Sequence, residues 1–124
     1  MNKKILIVED EPLLCQLYEM KLTDVGYQTA VAHNGMEGYH QTLTFKPDLI
    51  LLDILMPKVD GYHMLKMLRQ KDPGKNIPVI IVTNTPSLPN ARECQNFGII
   101  KAFFKADTTP SQLALFIQNY FKDK

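Results

Sequence analysis

The chain has 124 residues and a formal net charge of +1, and 45% of its residues are hydrophobic and 22% charged. This balance is typical of a soluble globular protein, so we expect residues 1–124 to form one domain with its own core. A net charge near zero gives no global field that would attract nucleic acid or anionic lipid, and we expect no direct nucleic-acid partner.

No part of the sequence has the pattern of a targeting or membrane-spanning segment. The N-terminal stretch MNKKILIVEDE reaches acidic residues before an apolar signal-peptide core could form, and no apolar run approaches the length of a membrane span. The two cysteines, Cys15 and Cys94, lack the Cys/His spacing of a metal site and are expected to be free thiols. These features predict a cytoplasmic protein with no membrane partner.

Short apolar runs alternate along the chain with longer amphipathic stretches. The runs that predict strands are, in chain order, residues 4–8, 29–32, 49–52, 78–82 and 102–104. Three of them are apolar at consecutive positions, as strands covered on both faces of a sheet are. Helical periodicity between the runs is clearest at Leu14, Leu17, Leu22 and Val25 and at Leu113, Phe116, Ile117 and Tyr120.

Residues with known helix-end preferences support this alternation. Pro12 suits a first helical position, and Gly26 suits the residue just past a helix end. The stretch TPSQ at 109–112 is a capping box with proline in the first turn. Asn34 and Asp60 are suited to cap two further helices. The resulting βαβαβαβαβα pattern predicts an α/β fold, a parallel sheet with helices on both faces.

In such a fold, ligands bind outside the carboxyl ends of the strands. The chemically capable residues at the ends of the predicted strands are Glu9, Asp10 and Glu11 at the first, Asp53 at the third, Thr83 at the fourth, which ends there, and Lys105 at the fifth. All of them fall on one edge of the sheet, and nothing similar marks the other edge. Asp53 is therefore expected to end a core strand and point into a crevice.

Glu9, Asp10 and Asp53 are expected to lie within several ångströms of one another. Two like charges about 4 Å apart repel by roughly 4 kcal/mol at an effective dielectric constant near 20. Such a cluster takes up a proton or binds a cation, and oxygen ligands without His or Cys favour Mg²⁺. Lys105 and Thr83 would supply a cation and a hydroxyl donor for an anion. Together these groups suggest phosphoryl transfer onto an aspartate.

Each of these residues also has a simpler interpretation when taken alone. Asp10 or Glu11 could cap the first helix, Thr83 could be an ordinary β-branched strand residue, and Lys105 could be solvated. Their joint placement on one edge of the sheet favours the phosphate site.

The motifs carry a resemblance to a known family. The segments ILIVEDE (5–11), LILLDILMPKVDG (49–61) and PVIIVT (78–83), together with Lys105, resemble the receiver domain of bacterial two-component response regulators. The resemblance spans essentially the whole chain. It implies a flavodoxin-like (βα)5 fold, a doubly wound parallel five-stranded sheet of order 2-1-3-4-5 with helices on both faces.

The resemblance also implies a role for each site residue. Asp53 would accept a phosphoryl group, Lys105 would pair with that group, and the Thr83 hydroxyl would turn inward to bond it. The implied Mg²⁺ ligands are Asp10, Asp53, the backbone carbonyl of Leu55 and, through water, Glu9. The chain would then be a signalling switch whose only catalysis is self-phosphorylation and slow autodephosphorylation.

The partners follow from the same resemblance. The phosphoryl donor would be a sensor histidine kinase, a phosphotransfer protein or a small phosphodonor. The signal would be read on the face formed by the fourth helix, fifth strand and fifth helix, by a downstream effector or a fused output domain, and a phosphorylation-dependent dimer is a further possibility. The sequence contains no output domain, so we expect either a stand-alone regulator or a fragment.

Two positions depart from the family pattern. Ala102 stands where the family usually has an aromatic residue that moves with the hydroxyl, and Phe103 is a poor substitute because neighbouring strand residues face opposite sides. Ala106 stands where the family usually has a proline after a cis bond. A cis bond to a non-proline residue costs about 3–4 kcal/mol, so we expect a trans bond between Lys105 and Ala106.

The segment 84–98 is expected to contain a helix that begins near Ser87 and runs to about Gly98. Its apolar face is thin and consists of Ala91, Cys94 and Phe97. Few apolar contacts imply low local stability, which suits a switching element. The alternative is a surface helix with no such role.

Three rival functions remain open. A haloacid-dehalogenase-type phosphatase would want an aspartate at the position of Leu55, and a flavodoxin-like FMN binder would want a Ser/Thr/Gly-rich loop where the chain has EDEPLL. The third rival is a pseudo-receiver that acts as a docking module without phosphorylation. The intact acids, Thr83 and Lys105 argue against it, whereas Ala102 and Ala106 are consistent with it.

Overall fold

The computed structural model describes residues 2–55, 60–85 and 88–122. Strands and helices alternate along them. The strands are Lys4–Val8 (β1), Gln28–Ala32 (β2), Leu49–Leu52 (β3), Val79–Thr83 (β4) and Ile99–Phe104 (β5). The helices are Pro12–Asp24 (α1), Gly35–Phe45 (α2), Gly61–Leu68 (α3), Ala91–Phe97 (α4) and Pro110–Lys122 (α5), with short 3-10 turns at Gly74–Asn76 and Lys105–Asp107.

The strands form one parallel sheet in the order β2-β1-β3-β4-β5. This confirms the expected flavodoxin-like, doubly wound α/β architecture. The strand order reverses between β1 and β3, so the carboxyl ends of these two strands open the crevice in which such folds place their ligands.

A hydrophobic core lies on each face of the sheet. On one face, side chains such as Leu6, Val8 and Leu52 pack against α3 residues such as Met64. On the other face, side chains such as Ile5 pack against α1 and α5. Because neighbouring strand residues face opposite sides, the continuous apolar runs of the sequence supply both cores at once.

The predicted helix ends are confirmed. The Asn34 side chain accepts a hydrogen bond from the Glu37 backbone N–H at 2.9 Å, and the Asp60 side chain accepts one from the His63 N–H at 3.0 Å. Thr109 and Gln112 exchange the two bonds of a capping box at the start of α5.

Several boundaries and one helix face differ from the predictions. β4 ends at Thr83, as expected, but begins at Val79 and not at Pro78. β5 begins at Ile99, before the predicted start at Ala102, because its ladder with β4 starts at Ile99. In α1 the buried residues are Cys15, Tyr18 and Leu22, whereas Leu17 and Val25 are each 38% exposed. The predicted repeat is therefore confirmed at Leu22 and, as a partly buried residue, at Leu14, whereas Leu17 and Val25 lie on the exposed side of α1.

The prediction that a helix begins near Ser87 is wrong. Residues 88–90 are not helical, and Asn90 is the N-cap of α4. Ser87 itself lies outside the described residues. A helix start at Asn90 is favoured because the Asn90 side chain accepts a hydrogen bond from the Glu93 N–H. The Glu93 side chain in turn accepts one from the Asn90 N–H, which completes a capping box. The predicted end at Gly98 is confirmed, since Gly98 is the C-cap with φ +69°.

The residues expected to form the apolar face of α4 are at most partly buried. Ala91 is exposed, and Cys94 and Phe97 are half-buried. The bond between Lys105 and Ala106 is trans, as expected, because the only cis peptide bond within the described ranges joins Asp72 and Pro73. Both cysteines are free thiols, as predicted.

Within the described part of the chain, no helix combines the length and apolar character that crossing a bilayer would require.

Candidate functional site

Neighbouring strands bring the predicted acidic residues together. Val8 and Leu52 are partners in the ladder of β1 and β3, so the residues that follow them, Glu9 and Asp53, leave the sheet side by side. The Asp53 N–H donates to the Val8 carbonyl at 3.0 Å, which fixes the start of the loop. Carboxylate oxygens of Glu9, Asp10 and Asp53 lie within 4.8 Å of one another.

Lys105 closes this acidic cluster from the end of β5. Its ammonium Nζ lies 2.8 Å from Glu9 Oε1 and 2.9 Å from Asp53 Oδ2. Glu9 is 2% exposed and Asp53 is 4% exposed, whereas Asp10 is exposed. One cation therefore bridges two buried carboxylates, and the third carboxylate faces solvent beside them. We call Glu9, Asp10, Asp53, Thr83 and Lys105 the acidic cleft.

Burial and pairing shift the protonation equilibria in the acidic cleft. Burial raises the pKa of Glu9, against the hydrogen bond and charge of Lys105, which act to lower it. Burial alone would lower the pKa of Lys105, but its bonds to Glu9 and Asp53 outweigh that effect and raise it. Lys105 therefore remains charged across the physiological range and offers a permanent cation beside Asp53.

Glu9 is held at all four of its polar atoms. Its backbone N–H donates to the Ala32 carbonyl, and its Oε2 accepts from the Glu11 N–H at 3.1 Å. Its backbone carbonyl lies 3.1 Å from the Cys15 thiol, which donates to it, and 3.3 Å from His33 Nδ1. The sequence analysis missed Cys15 and His33 as neighbours of Glu9, because no local pattern links the three positions.

The Cys15 thiol is poorly suited to nucleophilic chemistry. Burial raises the pKa of this thiol to about 11, and the negative charge of Glu9 contributes in the same direction. Its hydrogen bond to the Glu9 carbonyl therefore helps to hold the backbone of Glu9 in place.

The backbone around Asp53 is closely packed. The Leu55 N–H donates to Asp53 Oδ1 at 3.1 Å, and the Gly61 N–H donates to the Ile54 carbonyl at 3.0 Å. A Cβ on Gly61 would lie 2.9 Å from the Asp53 carbonyl oxygen, so only glycine permits this approach. The loop after β3 thus orients the Asp53 carboxylate through main-chain contacts.

Thr83 lies at the carboxyl end of β4, next to β3, and is fully buried. Its hydroxyl oxygen accepts a hydrogen bond from the Thr85 N–H at 3.3 Å. On the neighbouring strand, Ala102 packs on the core face that includes Cys94 of α4, whereas Phe103 packs on the opposite face, with its ring 5.3 Å from that of Phe116. This confirms the expectation that Ala102 and Phe103 face opposite sides of the sheet.

The donors of the acidic cleft fit a hard divalent cation. Three carboxylates from two neighbouring loops converge without a His or Cys ligand, and Mg²⁺ prefers such oxygen donors. Thr83 lies at the end of β4 and Lys105 follows β5, the two strands on the side of β3 away from β1. Their hydroxyl and ammonium groups could donate hydrogen bonds to an anion bound to Asp53.

Comparisons with known proteins agree on one family. The response regulator receiver domain model matches residues 5–117. Sporulation initiation phosphotransferase F of Bacillus subtilis is 37% identical over 105 residues, which cover 85% of this chain and 83% of that protein. The probable transcriptional regulatory protein SilR of Salmonella typhimurium is 41% identical over 80 residues, 64% of this chain and 34% of that protein.

A solved structure agrees over nearly the full length. The response regulator receiver domain protein (CheY-like) of Methanospirillum hungatei superimposes with a TM-score of 0.86 at 27% identity, covering 99% of this chain and 96% of that chain. The aligned part of this chain spans 34% of the length of SilR and of the alkaline phosphatase synthesis transcriptional regulatory protein PhoP of Bacillus subtilis.

Proposed function

The chain belongs to the response regulator receiver family, and from that premise we propose that it is a phosphorylation-dependent switch with Asp53 as its phosphoacceptor. The observation that carries this proposal is the position of Lys105. Its ammonium lies 2.9 Å from Asp53 Oδ2, so a cation is already in place where a phosphoryl group on Asp53 would need one.

The proposed reaction transfers a phosphoryl group from a phosphohistidine or a small phosphodonor. A carboxylate oxygen of Asp53 attacks phosphorus, the bond from phosphorus to the donor atom breaks, and that donor atom leaves with the bonding electron pair. Lys105 then pairs with the phosphoryl oxygens and the Thr83 hydroxyl donates to one of them.

The same proposal assigns the metal ligands. Asp10, Asp53 and the backbone carbonyl of Leu55 would hold Mg²⁺, and Glu9 would act through water. Bound Mg²⁺ supplies positive charge that offsets the carboxylates and the phosphoryl oxygens. Because both Glu9 carboxylate oxygens are bonded to Lys105 and the Glu11 N–H, we assign Glu9 a second task, holding Lys105 beside Asp53.

The proposed partners are those of a receiver. The donor would be a sensor histidine kinase or a phosphotransfer protein, and the reader would be an effector or a fused output domain that contacts α4, β5 and α5. The relatives that are transcriptional regulators support an output of this kind. A phosphorylation-dependent dimer is a further form that such an output takes.

A second candidate function is a pseudo-receiver, a docking module that acts without phosphorylation. The observation that favours it is Ala102, which places a methyl group at the β5 position where the family usually has an aromatic side chain. Phosphorylation of Asp53 would then be absent or without effect on partners.

Intact mass after incubation with acetyl phosphate or phosphoramidate and Mg²⁺ separates the two. We expect the mass of one added phosphoryl group in the wild-type protein and its loss in Asp53→Asn. Asp107→Asn, which alters an exposed carboxylate just after Lys105, is the matched control and should keep the adduct. No adduct, or an adduct that survives Asp53→Asn, would decide for the pseudo-receiver.

A further inference from the structure

The two ends of α4 are held in different ways. At the N-terminal end, Asn90 and Glu93 exchange hydrogen bonds of 2.9 and 3.0 Å, a capping box contained within four residues. None of the helical residues is buried. The first turn of α4 is therefore stabilised mainly by its own sequence.

The C-terminal end of α4 is held by a side chain from another helix. Arg69, the C-cap of α3, donates from Nε to the Phe97 carbonyl at 2.8 Å and from Nη2 to the Gly98 carbonyl at 3.4 Å. Its Nη1 also donates to the Gly74 carbonyl at 2.6 Å. The guanidinium thus places a positive charge and a fork of donors at the negative end of the α4 dipole.

Further contacts tie the same end of α4 to the core. The Gly98 carbonyl also accepts from the N–H of Val79, the first residue of β4, at 3.3 Å. The Phe97 ring lies 6.1 Å from the ring of Tyr62 on α3. A Cβ on Gly98 would lie 2.9 Å from Arg69 Nη2, so glycine permits both the positive φ and the close approach of the guanidinium.

We propose that Arg69 is a positioning residue that makes the C-terminal end of α4 a fixed pivot, so that any displacement of α4 is confined to its N-terminal half. The trigger rests on the proposed function, because a phosphoryl group on Asp53 would act first on Thr83 and on the loop that leads into α4. The fixed end is a property of the unphosphorylated protein. The N-terminal half of α4 is expected to be the part that moves, because its cap lies within the helix's own sequence, whereas Arg69 of α3 holds the C-terminal end.

Amide hydrogen exchange of the unphosphorylated protein tests the fixed end. In Arg69→Met we expect the amides of the last turn of α4, residues 95–98, to exchange about tenfold faster or more, with little change at 91–93. Arg69→Lys keeps the charge but cannot bridge three carbonyls, so it should show most of the same acceleration. Arg92→Met removes an exposed arginine from α4 itself and should leave residues 95–98 unchanged.

Unchanged exchange at 95–98 in Arg69→Met, or equal acceleration along all of α4, would overturn the proposal. Circular dichroism and thermal unfolding check that the variants are folded. Should Arg69→Met fail to fold, Arg69→Lys provides the same comparison.

Beryllofluoride with Mg²⁺, a stable mimic of the phosphoryl group, tests the pivot. In the wild-type protein we expect exchange to change at 91–93 and to stay constant at 96–98, whereas in Arg69→Met the change should extend through residue 98. A wild-type change that is as large at 96–98 as at 91–93 would contradict the pivot. Absence of any change around Asp53 would count against the phosphoacceptor function instead, and the result on the unphosphorylated protein would stand.

Discussion

The acidic cleft and α4 follow neighbouring strands at the same edge of the sheet, yet their support differs. The residues of the acidic cleft extend from strands whose last residues, such as Val8, Leu52 and Thr83, are fully buried. α4 has no buried residue and is held by a local cap at one end and by Arg69 at the other. Close packing around the buried strand ends restricts the positions of their side chains, whereas a helix with few apolar contacts can move locally at a low free-energy cost.

Under the proposed function, the two regions would meet two requirements of a switch. Phosphoryl transfer would need donors and acceptors that are already in place, and the residues at the buried strand ends are such groups. A readable signal would need a segment that moves for a small free energy, and α4, which has no buried residue, would suit that requirement. Substitutions that act on the acidic cleft and spare α4, or the reverse, test whether the two regions differ in this way.

The largest effect is expected from core truncation below the acidic cleft. Leu52→Ala removes a fully buried side chain next to Asp53 and should lower the free energy of unfolding by about 2–5 kcal/mol. Phe97→Ala removes a half-buried ring from α4 and should cost about 1 kcal/mol. Urea unfolding measures both. Equal losses would mean that α4 is as firmly integrated as the strands.

A smaller effect is expected from removing the cation of the acidic cleft. Lys105→Met leaves Glu9 and Asp53 buried without their partner and should cost roughly 2–4 kcal/mol near neutral pH. Lys101→Met, which alters an exposed lysine on the same strand, is the matched control and should cost about 0.5 kcal/mol or less. Urea unfolding across a pH series gives both values.

The sign of the pH dependence follows from Glu9. Burial already raises its pKa, and loss of Lys105 removes an influence that lowers it, so the folded variant holds protons that the unfolded chain releases. The loss of unfolding free energy caused by Lys105→Met should therefore become smaller as the pH falls from about 7 to about 5. Added Mg²⁺ should stabilise Lys105→Met more than the wild-type protein, because it restores positive charge. A deficit that grows on acidification would contradict this account.

The smallest effect concerns the two thiols, Cys15, which contacts the Glu9 carbonyl of the acidic cleft, and Cys94 on α4. Cys15 is 3% exposed and burial raises its pKa to about 11, so on the order of one thiol in a thousand would be ionised at about pH 8. Cys94 on α4 is half-buried, and burial raises its pKa as well. We expect iodoacetamide to label Cys94 first in the folded protein, as followed by mass spectrometry of the Cys15→Ser and Cys94→Ser variants. Faster labelling of Cys15 would show that α1 opens more readily than α4.

The sequence predicted those parts of the fold that depend on local patterns. The bounds of β1 and β3 were correct because their apolar runs are continuous and end at charged residues. The caps at Asn34, Asp60 and Thr109 were correct because a capping bond spans only three residues. The face of α1 was only partly correct, at Leu14 and Leu22, because leucines occur on more than one side of that helix and only the sheet decides which side is buried.

The same division holds for α4. The prediction that α4 ends at Gly98 was correct, because the residue after the helix adopts a left-handed backbone conformation that glycine favours far more than other residues do. The start was wrong because Asn90 and a serine three residues earlier both have capping side chains, and the reciprocal bonds with Glu93 favour Asn90.

Local sequence patterns were enough to predict the alternation of strands and helices, and with it the set of acids, hydroxyl and amine at one edge of the sheet. They could not predict that Lys105 bridges Glu9 and Asp53, or that Arg69 reaches the carbonyls at the end of α4. Periodicity and capping act over a few residues, whereas each of these contacts joins positions at least 28 residues apart, which meet only after the sheet has been assembled.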